Sequence, residues 1–103
     1  MRIDFGDLVI GDTAKKYLQR VLDRNWVSEG ENVKEFEDKF AAHFGYKHAI
    51  ATSSGTDADI CSCTALYDFG AKRGDEIITG ALSFVATANS ILAAGFVPRF
   101  VDI

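Results

Sequence analysis

Two short stretches carry residue types suited to binding a flat, phosphorylated ligand. The first is Ser53-Ser54-Gly55-Thr56, where a short apolar run gives way to a helix-like pattern. A glycine at Gly55 lets backbone approach a ligand closely, and Ser54 and Thr56 supply hydroxyls. The helix start over 56–59 offers unpaired N–H groups and a positive dipole end, which favour an anion such as phosphate. Neither GxxxxGK[ST] nor GxGxxG is present, so no standard nucleotide loop accounts for the turn. Asp57 and Asp59 keep a second reading open: acidic residues in a first helical turn complete the dipole, and the stretch is then a Ser/Thr-capped helix start.

The second stretch is Leu82-Ser83-Phe84-Val85-Ala86-Thr87-Ala88-Asn89, directly after a strand-like run. Phe84 faces two readings, a core side chain or a ring laid against a planar ligand at the same sheet edge as the serine-glycine turn. Taken together, a phosphate cradle after one strand and an aromatic after the next suit a ring-bearing, phosphorylated cofactor. Other reactive groups are poorly arranged. Cys61 and Cys63 are separated by one residue, too close for a relaxed disulfide and unlike any zinc spacing. His43 and His48 have no acidic or cysteine partner at metal spacing, so no metal is expected.

The elements that must position these groups follow from periodicity. Ala14, Tyr17, Leu18, Val21 and Leu22 form an amphipathic stripe, with Asp12 as the expected N-cap. After a loop over 25–30, Val33, Phe36, Phe40, Ala41 and Phe44 repeat the stripe until Gly45 ends it. Residues 48–52 read as a first strand, 58–69 as a helix ending near Gly70, and 73–75 as a turn. A second strand is expected over 76–79, a helix over 83–94 with Gly95 as its C-cap, and a third strand over 99–103. The order α-α-β-α-β-α-β, strands alternating with helices, is that of parallel βαβ units in an α/β fold.

Composition bounds the alternatives. The 103 residues are 48% hydrophobic and 25% charged, which excludes a disordered or collagen-like chain. Eleven basic against fifteen acidic residues give a net charge of −4 with no Lys/Arg run, so nucleic acid and anionic membrane are not expected partners. The apolar stretch over 84–97 is broken by Thr87, Asn89 and Ser90 and is too short to span a bilayer. With Arg2 and Asp4 near the start and no apolar leader, a cytoplasmic location is expected.

A broader set of motifs is more specific than any of these signals singly. Trp26-Val27-Ser28-Glu29-Gly30, Val33, Phe36-Glu37 with Phe40-Ala41, His48-Ala49-Ile50-Ala51, Ser54-Gly55-Thr56-Asp57-Ala58, Gly74-Asp75-Glu76-Ile77-Ile78 and Phe84-Val85-Ala86-Thr87-Ala88-Asn89 occur in that order. Together they resemble the DegT/DnrJ/EryC1/StrS family of pyridoxal-phosphate-dependent sugar aminotransferases. The resemblance implies the aspartate-aminotransferase-like fold (fold type I). Residues 1–103 would form the N-terminal portion of its large domain, two leading helices followed by βαβαβ. It further implies that Gly55, Thr56 and Asp57 hold the pyridoxal 5'-phosphate phosphate group, that Phe84 stacks on the pyridine ring, and that Trp26 and Ser28 lie near the substrate. The implied activity passes an amino group from an amino acid such as glutamate to a keto group on a nucleotide-linked sugar, in a homodimer. A sugar dehydratase of the same family and a non-catalytic α/β module binding a phosphorylated metabolite are the alternatives.

Transamination needs a lysine that forms a Schiff base with the cofactor aldehyde and a carboxylate beside the pyridine nitrogen. Lys47 starts the first expected strand, roughly 20 Å from the serine-glycine turn at the usual rise. Lys72 follows a helix C-terminus, and Lys15, Lys16, Lys34 and Lys39 lie on the polar faces of the leading helices. Asp102 stands at the right sheet edge, but the resemblance does not make it the pyridine partner. No catalytic residue is therefore expected within these 103 residues, which read as the first part of a longer enzyme and as inactive by themselves.

Overall fold

The computed structural model describes residue 6 and residues 8–102, which fall into two compact units, one within residues 1–47 and one within 48–103. The first unit contains helices α1 (Asp12–Asp23) and α2 (Glu31–Phe44). Gly11, not Asp12, is the N-cap of α1. Asp12 is the first helical residue and pairs with Lys15 one turn on, at 3.5 Å, so its carboxylate serves the dipole and the side-chain pair instead of the cap. Gly45 ends α2 as expected, at φ 72°, where an L side chain is strained. That left-handed residue turns the chain so that the Tyr46 N–H donates to the Ala41 carbonyl at 2.8 Å.

The apolar stripe of α2 is an aromatic ladder: Phe36, Phe40 and Phe44 stand one turn apart, with ring centroids 5.7 and 4.6 Å apart. Little in this unit covers it. Phe36 and Phe44 are each 55% exposed, and Ala41 is the one buried residue of the two helices.

The second unit contains α3 (Gly55–Ala65), continued by a 3₁₀ turn (Leu66–Phe69), then β1 (Glu76–Gly80), α4 (Val85–Ala93) and β2 (Val97–Val101). β1 and β2 pair in parallel with α4 as the crossover, in the register Glu76↔Val97 to Gly80↔Val101. This is the βαβ unit that the alternating pattern predicts. The expected first strand is a correction: residues 48–52 are not a strand, because the one ladder among the described residues joins β1 to β2. A strand exists through its ladder, and an apolar run alone does not make one.

β2 begins two residues before the expected position and includes Pro98. The geometry explains the tolerance. Val97 N–H donates to Asp75 O and Ala81 N–H to Val101 O, so the odd-numbered residues of β2 face β1 and the nitrogen of Pro98 faces the opposite edge.

The core of this unit is Ile91, Ala94 and Phe96, flanked by Cys63, Tyr67, Ala71 and Ile77. Tyr67 stacks on Phe96 with ring centroids 4.8 Å apart, and its hydroxyl donates to the Ala94 carbonyl at 2.8 Å. Gly95, expected as the C-cap, lies one residue beyond it: Ala94 is the C-cap of α4, and Gly95 follows at φ 91°. A Cβ there would meet the Tyr67 hydroxyl at 2.9 Å and Arg73 at 3.0 Å. The turn is therefore closed to larger residues on two counts, conformation and space.

Candidate functional site

The serine-glycine turn folds as the start of α3. Ser54 is the N-cap in extended conformation, and its hydroxyl accepts from the Asp57 N–H at 3.1 Å. The Ser54 hydroxyl in turn donates to the Asp57 carboxylate at 3.1 Å, and the Ser53 hydroxyl donates to the same oxygen. These bonds, Ser53's first and Ser54's second, hold the Asp57 carboxyl below the usual aspartate range. Gly55 and Thr56 occupy the first helical positions, where their N–H groups have no intrahelical acceptor. A Cβ at Gly55 would meet nothing within 4 Å, so the flank of the turn at this residue is uncrowded.

Both sequence readings of this turn thus have a physical basis. Asp57 folds back onto the two serines and completes the cap, while the two leading N–H groups have no acceptor within the helix. The N–H groups of a first helical turn are donors suited to an anion.

Phe84 is the N-cap residue of α4 and is 72% exposed, so the core reading of its ring does not hold within this unit. The two candidate stretches are joined behind the site. α3 and α4 pack against one another, and the Ser90 hydroxyl of α4 donates to the carbonyl of Thr56 at 3.2 Å. Phe84 precedes Ser90 by six residues, about 9 Å of helix rise. Sequence reasoning passed over Ser90. The signal was there, as one of three polar residues interrupting the apolar stretch over 84–97.

Trp26 and Ser28 line one pocket of about 540 Å³ in the first unit, together with Val21, Arg24 and Asn32. The indole N–H donates to the Glu29 carbonyl at 2.9 Å, and the ring lies so close to Gly30 that a Cβ there would meet its Nε1 at 2.8 Å. Arg24 pairs with Glu31 at 3.1 Å across the same loop. The structure therefore brings Gly55, Thr56 and Asp57 into one turn, with Phe84 in the same unit, and Trp26 and Ser28 into a pocket of the first unit.

The cysteines are free thiols. Burial, and secondarily the charge of Asp59, push the Cys63 thiol up, the opposite of nucleophile activation. Among the described residues no group of three His, Cys, Asp or Glu side chains could hold a metal ion, and no helix is long and apolar enough to cross a membrane.

Comparison with known proteins adds to this geometry. Residues 9–103 match the DegT/DnrJ/EryC1/StrS aminotransferase family. The spore coat polysaccharide biosynthesis protein SpsC of Bacillus subtilis is 40% identical over 95 residues, which are 92% of this chain and 24% of that protein. Among solved structures, an E. coli GDP-4-keto-6-deoxy-D-mannose-3-dehydratase with bound hydrated PLP superimposes with a TM-score of 0.83 at 37% identity, over 94% of this chain and 26% of the other. PseC of Helicobacter pylori, an aminotransferase involved in the biosynthesis of pseudoaminic acid, superimposes with a TM-score of 0.84 at 33% identity, over 97% of this chain and 27% of the other. The chain thus spans about a quarter of the length of the proteins it matches.

Proposed function

The chain belongs to the DegT/DnrJ/EryC1/StrS aminotransferase family, and from that premise we propose that it supplies the phosphate- and ring-binding face of a pyridoxal-phosphate-dependent sugar aminotransferase. The observation that carries this reading is the hydrogen bond that joins the Gly55–Thr56 turn to the helix that begins after Phe84. The fold type I architecture comes with family membership and with the superimposed structures.

In this reading the N–H groups of Gly55 and Thr56 and the Thr56 hydroxyl bind phosphate oxygens, and the α3 dipole adds to their attraction. The Asp57 backbone closes the turn. Its carboxylate, held ionised by Ser53 and Ser54, keeps the cap intact when the anion leaves. The exposed Phe84 ring covers one face of the cofactor ring and shields it from water. Pyridoxal phosphate, when bound, supplies the electron sink and the amino-group carrier. Trp26 and Ser28 contribute to the nucleotide-sugar side, and the amino donor is glutamate.

None of Lys15, Lys16, Lys34, Lys39, Lys47 and Lys72 is the lysine that carries the cofactor, so these 103 residues bind weakly and do not transaminate by themselves. The complete enzyme acts in the cytoplasm as a homodimer on a nucleotide-linked keto-sugar, with no nucleic acid or membrane partner. A dehydratase is the second reading, supported by the 37% identity to an enzyme of that activity.

The test is an amide NMR titration of the 103-residue chain with pyridoxamine 5'-phosphate, which has no aldehyde to react with surface lysines. Gly55, Thr56 and Asp57 amides and the Phe84 ring protons are expected to shift together with one dissociation constant. Shifts confined to other residues would overturn the reading.

A further inference from the structure

Ser90 is the one buried polar residue among the described residues, at 0% exposure, on α4 beside the Ile91, Ala94 and Phe96 core. A serine inside a helix ordinarily bonds back to the carbonyl four residues earlier. Two hydroxyl-bearing residues of α3 do this: Ser62 donates to Ala58 O at 2.8 Å and Thr64 to Ile60 O at 2.7 Å. Ser90 instead crosses to another helix and donates to Thr56 O at 3.2 Å, 34 positions away in sequence.

The choice of acceptor matters. The carbonyl of Thr56 and the N–H of Asp57 belong to one peptide group, which is planar and moves as a unit. Ser90 grips that group from the buried side. On the other side its N–H is held by the Ser54 hydroxyl, which donates to the Asp57 carboxylate. The first turn of α3 is therefore fixed at both ends of one peptide plane, and the bonds run in a chain that polarises each member. The same hydroxyl belongs to the helix that begins after Phe84, so it ties that helix to the first turn of α3.

We propose that Ser90 is a positioning residue that holds the Gly55–Thr56 donors rigid and in register with Phe84 for a phosphorylated ring. It touches neither ring nor phosphate itself. This inference rests on the cofactor-binding reading above and adds to it the residue that makes phosphate, specifically, the favoured group.

The experiment compares the affinities of pyridoxamine 5'-phosphate and pyridoxamine for the 103-residue chain, with Ser90→Ala, Ser90→Cys and Ile91→Val as variants. Ser90→Ala is expected to lower the preference for the phosphorylated form by about 3- to 10-fold, the worth of one hydrogen bond. Ser90→Cys, of similar volume with a weaker donor, is expected to fall between Ser90→Ala and the parent, and it serves if Ser90→Ala does not fold. Ile91→Val trims the same buried stretch without touching the hydroxyl. It is expected to lower the melting temperature and leave the preference unchanged. An unchanged preference in Ser90→Ala, or an equal loss in Ile91→Val, would overturn the role of Ser90 alone. A parent chain with no preference for phosphate would overturn the cofactor reading and this inference with it.

Discussion

The two units of this chain solve the problem of burying apolar surface to different degrees. In the second, Tyr67, Ile91, Ala94 and Phe96 come together from the α3 side, α4 and the approach to β2, and Phe96 keeps only 2% of its surface exposed. In the first, α2 carries three phenylalanines at helical spacing, yet each stays 40–55% exposed. Pattern is equally clear in both. The difference is that a βαβ unit folds a helix back over its own strands, whereas the two helices of the first unit leave most of their apolar stripes exposed.

The contrast is testable by truncation. Phe96→Ala is expected to cost about 3–5 kcal/mol, the usual range for a fully buried phenylalanine, measured by denaturant unfolding. Phe40→Ala should cost less than half as much, because most of its neighbours are exposed. Equal costs would mean that the aromatic face of α2 is better covered in solution than the structure shows.

A smaller effect separates the cap from the core. Because Asp57 titrates below its ordinary value when folded, its contribution is complete above the unfolded aspartate pKa and is lost as pH falls through the folded one. Carboxyl-carbon NMR should show a depressed midpoint for Asp57 that rises in Ser53→Ala. A midpoint that stays put would remove Ser53 as the main cause.

The smallest effect belongs to the first unit, where Glu35 and Lys39 form an i,i+4 pair on the exposed face of α2. Hydrogen bonding and charge lower Glu35 and raise Lys39. Their mutual support therefore holds between the unfolded Glu and Lys values, fading as pH falls through the Glu35 midpoint or rises through that of Lys39. Lys39→Gln should reduce α2 helicity slightly by circular dichroism at low salt and not at 1 M salt, where the pair is screened. A loss that survives high salt would point to the Lys39 stem packing against the helix instead.

Most local signals were legible, the N-cap of α1 at Gly11 instead of Asp12 being an exception. Gly45 and Gly95 end their helices at positive φ as their positions suggest, and the apolar 76–79 run became β1 with one residue more. Serine, glycine and threonine at 53–56 marked a capped helix start, as found. What was not legible depended on partners. Residues 48–52 look like a strand by composition, and only a neighbour decides whether they become one. The start of β2 at Val97 was not legible either, because which edge the Pro98 nitrogen faces follows from the register with β1. Ser90 read as an interruption in an apolar run, since its partner lies 34 positions away.

Pro98 also gives the small sheet a direction of growth. Along its outer side β2 turns the nitrogens of positions 98 and 100 away from β1, and the first of these carries no hydrogen. β1 turns the N–H groups of Glu76, Ile78 and Gly80 outward, a full set. A strand added beside β1 finds every bond it needs, while one added beside β2 is left with an empty place. The proline thus works as a stop at one margin of the sheet and leaves the other margin as the side from which a wider one can be built.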